Sequence, residues 1–137
     1  MKIKSGIKLL QEIEGEGLPI QQGDKVIFNL RIFLNNGEEV QLIKLNPAKD
    51  LPPQHLKIDE RSGLIDFVCR IGQREHIPGV EYSLIGMKVG GYRKVKVSPH
   101  LAYRETGILG IIPENAVLII ELWAKEKSKK IIPGTRN

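Results

Sequence analysis

The chain has 137 residues, of which 41% are hydrophobic, 27% charged and only 5% aromatic, and its formal net charge is +5. That length fits one domain with a real core, and no apolar run approaches the roughly 20 residues that span a bilayer. A single cysteine excludes an internal disulfide, and three scattered histidines lack metal-ligand spacing. With no signal-type apolar segment after Met1-Lys2-Ile3-Lys4, the expected location is the cytoplasm.

Residues 7–17 mix Ile7, Leu9, Leu10 and Ile13 with three glutamates, a pattern read as a strand although it also suits a short helix. Gly17-Leu18-Pro19 breaks it, and Gln22-Gly23-Asp24 makes a turn. Lys25 to Leu34 is a clear strand, with Val26, Phe28, Leu30, Ile32 and Leu34 on one face and Lys25, Asn29 and Arg31 on the other. Asn35-Asn36-Gly37 tolerates the positive φ of a hairpin turn, so a return strand is expected from Glu38 through Val40 and Leu42 to Leu45. Residues 46–63 hold Pro47, Pro52 and Pro53 and few hydrophobes, apart from Leu56 and Ile58 as anchors, and read as a long loop.

The strand from Leu64 to Ile71 contains Cys69, which reads as a small buried hydrophobe. Pro78 to Met87 reads as a helix, because proline is tolerated in a first turn and Val80, Leu84 and Met87 share one face. Gly90-Gly91 is expected to end it. Arg93, Val95 and Val97 then alternate with Tyr92, Lys94 and Lys96, predicting a strand with a wet, basic outer face. After a Gly- and Pro-punctuated loop, Ala116, Leu118, Ile120, Leu122 and Ala124 line a last strand. Lys125, Lys127, Lys129, Lys130 and Arg136 follow as a solvated basic tail over 125–137. The expected architecture is a single α+β domain, an antiparallel half-barrel of about five strands wrapped around one short helix.

Val95-Lys96-Val97-Ser98-Pro99, Ala102-Tyr103, Thr106-Gly107 and Gly110-Ile111-Ile112-Pro113, followed by Ala116 and Leu118, carry a family likeness. With Gly23-Asp24, Asn36-Gly37 and Gly72…Glu75…Ile77-Pro78-Gly79, they resemble the FKBP-type peptidyl-prolyl cis-trans isomerases over most of the chain. The resemblance implies an apolar pocket between helix and sheet, and chemistry without acid, base, nucleophile, metal or cofactor. Rotation about an X–Pro bond is slow because resonance keeps the amide planar. A dry pocket that fits the twisted, less polar transition state accelerates it.

By the same resemblance, Tyr103 offers its hydroxyl and Ile77 its backbone N–H to a bound proline-containing polypeptide, and Ala102 lies beside Tyr103. Glu75 and His76 match the neighbouring edge, His76 being read as a surface residue, and Ile111 and Ile112 match the covering loop. Elsewhere the family's aromatic walls have become aliphatic. Leu30 stands for a tyrosine, Val40 and Ile120 for phenylalanines, and Val80 for the tryptophan of the pocket floor. Gln41 replaces an aspartate, and Ile108 fills a variable position. Trp123 falls on the opposite parity from Ile120 and is expected to face away from the pocket.

Two readings follow: an isomerase of weak or altered activity, or a protein-binding module of chaperone type without catalysis. A third is an interaction domain working through the basic face at Tyr92, Lys94 and Lys96. No aromatic residue interleaves with the terminal lysines to stack bases, so nucleic acid is not expected as a partner. Membranes are not expected either, and a monomer is.

Overall fold

A computed structural model describes residues 3–42, 55–58 and 61–128. Period-two burial writes the strands. They are β1 (Ile7–Ile13), β2 (Lys25–Leu34), β3 (Glu39–Val40), β4 (His55–Ile58), β5 (Ile65–Arg70), β6 (Tyr92–Val97) and β7 (Leu118–Ser128), with the helix α1 (Pro78–Leu84) between β5 and β6. They make one antiparallel sheet in the order β1-β6-β7-β2-β5-β4. β3 pairs with Ile32 and Phe33 of β2, beyond the rungs that β5 occupies at residues 25–29. No helix among the described residues is long and apolar enough to cross a membrane.

β2 and β7 form the spine, running in register from Lys25↔Ser128 to Leu34↔Leu118. Val26, Phe28, Leu30 and Ile32 of β2 face the core with Leu118, Ile120, Leu122 and Ala124 of β7 and Val95 and Val97 of β6. Against this face α1 lays Val80 and Leu84, both fully buried. The antiparallel sheet around one helix is therefore as expected, and the Asn35–Gly37 turn closes with Gly37 N–H donating to the Leu34 carbonyl.

Four expectations change. The stretch 46–63 carries a strand, β4, paired with β5 from His55↔Phe67 to Ile58↔Ile65. An edge partner overrides the weak local signal there; residues 43–54 and 59–60, with Leu45, lie outside the described residues. The helix stops at Leu84, because Ile85 turns extended and Gly86 takes φ +89°, a left-handed conformation that side chains resist. Met87 is still buried, so its spacing signalled burial and not helix. Finally, β7 continues through Ser128, so the basic tail begins inside the sheet.

There Lys127 Nζ sits 3.2 Å from Asp24 Oδ2, and Lys125, displaced by a bulge opposite Ile27 and Phe28, reaches Asp66 Oδ1 at 2.8 Å. Residues 129–137, with Lys129, Lys130 and Arg136, lie outside the described residues. The fourth change is Tyr92, which is buried rather than wet. Its ring packs on Trp123, centroids 5.2 Å apart, and its hydroxyl donates to Glu121. Burial first and the Glu121 carboxylate second push its phenol well above the usual tyrosine range.

Candidate functional site

Leu30 and Ile120 come from adjacent strands of the spine, Val80 from the first turn of α1 and Val40 from β3. These four side chains belong to one buried cluster with Ala102 and Ile112, and Ile77, Tyr103, Ile108 and Ile111 pack against its edge. The sequence-predicted apolar residues are thus brought together, in two tiers. Leu30 is 1% exposed and Val80 and Ile120 are 0% exposed, so the inner tier offers no surface even to a water molecule. Val40 is buried as well, and Gln41, its neighbour, points to solvent. The outer tier of Ile77, Tyr103, Ile108 and Ile111 is half-buried and forms an apolar rim.

The rim is held by backbone bonds. A 3-10 turn at Pro99–Leu101 ends with the Ala102 and Arg104 N–H groups donating to the Pro99 carbonyl, which presents Tyr103. Its carbonyl accepts from Gly107 N–H at 3.0 Å and from the Thr106 hydroxyl at 3.1 Å. Ile108 and Ile112 exchange two 2.8 Å bonds, closing a small tongue whose tip, Leu109, is fully exposed. Gly107 is required at its base, since φ is +58° and a Cβ would overlap the Ile112 carbonyl. The Asn115 N–H, bonded to the Arg104 carbonyl, ties the far end of the loop to its start.

The other wall is the segment that enters α1. Glu81 carries a buried carboxylate that accepts from Gly72 N–H at 2.8 Å and from His76 N–H at 3.1 Å, and so folds residues 72–76 onto the helix. Glu75 does the same for the end of β5, accepting from Arg70 N–H at 2.6 Å. It lies half-buried outside the apolar cluster, so this carboxylate shapes the edge rather than the rim.

His76 is not a surface residue. It is 9% exposed, with its ring 5.8 Å from Phe28 and 5.7 Å from Phe67. Burial lowers its pKa to about 4, so the ring is neutral at pH 7. Its Nδ1 accepts from Ile77 N–H at 3.3 Å, and Nε2 has no partner among the described residues. Sequence reasoning placed His76 outside because a lone polar residue beside a turn carries no burial signal. Two aromatic neighbours from distant strands put it inside.

The alternation of Arg93 with Val95 and Val97 does not announce what Arg93 does. It shares the inward parity of Val95 and Val97 and is 1% exposed. Its Nη1 donates to the Ser83 and Ile85 carbonyls at 2.9 and 2.8 Å, and Nε pairs with Glu12. A guanidinium therefore supplies the end of α1 with donors that the chain itself does not. Cys69, buried as expected, has its thiol pushed up to about 12, chiefly by burial, and is not a nucleophile near neutral pH.

A family model described as FKBP-type peptidyl-prolyl cis-trans isomerase matches residues 51–123. Over 117 residues the chain is 32% identical to FK506-binding protein 1A of Neurospora crassa, covering 85% of this chain and 83% of that one. Over 122 residues it is 31% identical to FK506-binding protein 4 of Chaetomium thermophilum, covering 89% of this chain but only 21% of that protein's length. A shorter likeness, 39% over 71 residues, links it to FK506-binding protein 2B of Rhizopus delemar, covering 52% of this chain and 32% of that one.

Proposed function

The chain belongs to the FKBP-type peptidyl-prolyl cis-trans isomerase family, and from that premise we propose that it turns X–Pro bonds weakly, on the rim rather than in a deep pocket. The observation that carries this reading is the two-tier arrangement. An apolar rim of Ile77, Tyr103, Ile108 and Ile111 is accessible while Leu30, Val80 and Ile120 beneath it are closed.

A proline ring resting on that rim leaves water on one side, and its twisted amide loses the resonance that keeps it planar. On this reading the Tyr103 hydroxyl bonds the substrate backbone. The Ile77 N–H, now donating a long bond to His76 Nδ1, exchanges that partner for a substrate carbonyl. Because burial of the ring is shallow, less of the binding energy is specific to the twisted form, so the rate gain is small. Its substrates are proline-containing polypeptides. The setting we assign is protein folding in the cytoplasm, as a monomer, with nucleic acid and membranes outside its range.

A second reading, favoured by the closed inner tier, is an FKBP-like binding module without catalysis. An NMR exchange assay on short X–Pro peptides separates the two. Weak isomerisation predicts exchange faster than background, and a Tyr103→Phe variant slower than wild type by roughly fivefold, one hydrogen bond's worth. Exchange at the background rate, with peptide binding still visible at Tyr103, leaves the module. Val80→Trp tests the closure itself. With no room at Val80, the larger ring is expected to cost roughly 1–3 kcal/mol or more of stability in urea unfolding.

A further inference from the structure

We infer that the outer face of the sheet, opposite α1 and the site above, docks an acidic polypeptide segment bearing a bulky apolar side chain. Residues directly opposite in an antiparallel pair lie on one face. One row across this face reads Lys8, Lys96, Ile119 and Phe33, and the next reads Lys94, Glu121 and Arg31. Between them lies a depression of about 380 Å³ lined by Leu10, Phe33, Leu34, Lys94, Ile119 and Glu121. Leu10 is 43% exposed, and Phe33 and Ile119 are only half-buried. The solvent face of an antiparallel sheet is ordinarily polar, whereas here apolar side chains from β1, β2 and β7 gather beside lysines.

The charges select the partner. The two carboxylates on these rows are already engaged: Glu39 by Arg31 at 2.7 Å, and Glu121 by Arg31 at 3.8 Å and by the Tyr92 hydroxyl. Lys8, Lys94 and Lys96, in contrast, contact no carboxylate among the described residues. The unbalanced charge around the apolar floor is therefore positive, and the complementary ligand is acidic. The same three lysines repel a second copy of this face. Nucleic acid is disfavoured because the aromatics are spoken for, Phe33 beneath the Arg31 guanidinium at 5.0 Å and Trp123 against Tyr92. Since Ile119 and Glu121 point away from Ile120 and Leu122, a segment held here leaves the rim at Tyr103 free.

The test is a titration of the protein with a short fluorescein-labelled peptide, a Leu-Phe pair flanked by runs of glutamate, read by anisotropy and by amide shifts. Shifts are expected at Leu10, Lys94 and Ile119, with affinity falling about tenfold as salt rises from about 0.05 to 0.3 M. A Lys94→Glu/Lys96→Glu variant and an Ile119→Ser variant should each weaken binding at least roughly tenfold. Lys94→Gln should give an intermediate loss if the double variant fails to fold. Isomerisation of X–Pro peptides by these variants should match wild type, which keeps this inference separate from the reading of the rim. The inference is overturned by shifts centred on Tyr103, or by equal binding of a peptide with an Ala-Ala pair. Insensitivity to these substitutions, preference for a single-stranded oligonucleotide, or self-association of the free protein would overturn it equally.

Discussion

His76 packs a titratable ring between Phe28 and Phe67 with one nitrogen unpartnered, and that has a pH signature. The ordinary histidine pKa is 6.5, whereas burial holds the folded ring at about 4. Between those values the unfolded chain binds the extra proton, so stability is at its full value above 6.5 and declines as pH falls through the window. The whole decline is on the order of 3 kcal/mol. Urea unfolding of wild type and His76→Leu at stepped pH should show wild type losing stability relative to the variant as pH falls from 6.5 to 4. Parallel curves would clear His76 of the effect. Nothing in Glu75-His76-Ile77 announces this, because the neighbours that desolvate the ring come from β2 and β5.

At the scale of the element, α1 depends on a residue from another strand. It is seven residues long, too short to persist without tertiary support, and its last carbonyls are held by Arg93. Removing that side chain leaves buried carbonyls without donors and a void in a packed region. Arg93→Ala is therefore expected to cost roughly 3–5 kcal/mol in urea unfolding, and Arg93→Lys less, since one ammonium cannot fork to both carbonyls and Glu12. Glu12→Ala should cost under about 1 kcal/mol, its carboxylate being a third exposed; an equal loss would shift the weight to the ion pair. The strands themselves were legible, because Val26, Phe28, Leu30 and Ile32 repeat with the pleat. Arg93 obeyed the same parity and was readable in that respect. What a charged side chain does at an inward position depends on which carbonyls lie within reach, and only the packing of α1 on β6 decides that. β4 and the end of α1 were illegible for a related reason, one being made by its partner β5 and the other by Gly86.

For the whole molecule, the sheet is closed by the pairing of β2 with β7, and its lower end is fastened by Lys127 on Asp24 and Lys125 on Asp66. Asp24 and Asp66 are buried, so removing a lysine leaves a poorly solvated carboxylate supported, among the described residues, by Gln21 N–H or the Asn29 amide. Lys127→Met is expected to lower stability by roughly 1–3 kcal/mol in calorimetry, and a change within error would mark the pair as solvent-screened. The tail looked like a solvated run because its charge was conspicuous and its acidic partners lay far away in sequence. The apolar members of the candidate site were legible as a set, through the motif around Tyr103, yet their division into a closed floor and an open rim was not. Side-chain volumes alone do not say whether a core collapses into the space that smaller residues leave.

The strand order carries one more consequence. Among the described strands β7 comes last in sequence, and it lies between β6 and β2. Without β7 the sheet falls into two parts, β1 with β6 and β2 with β3, β5 and β4. Each presents a bare edge on the side where β7 belongs, and an unpaired edge is a template for the wrong partner. Pairing of β7 joins both parts at once, so the sheet is continuous only when this one strand is in place.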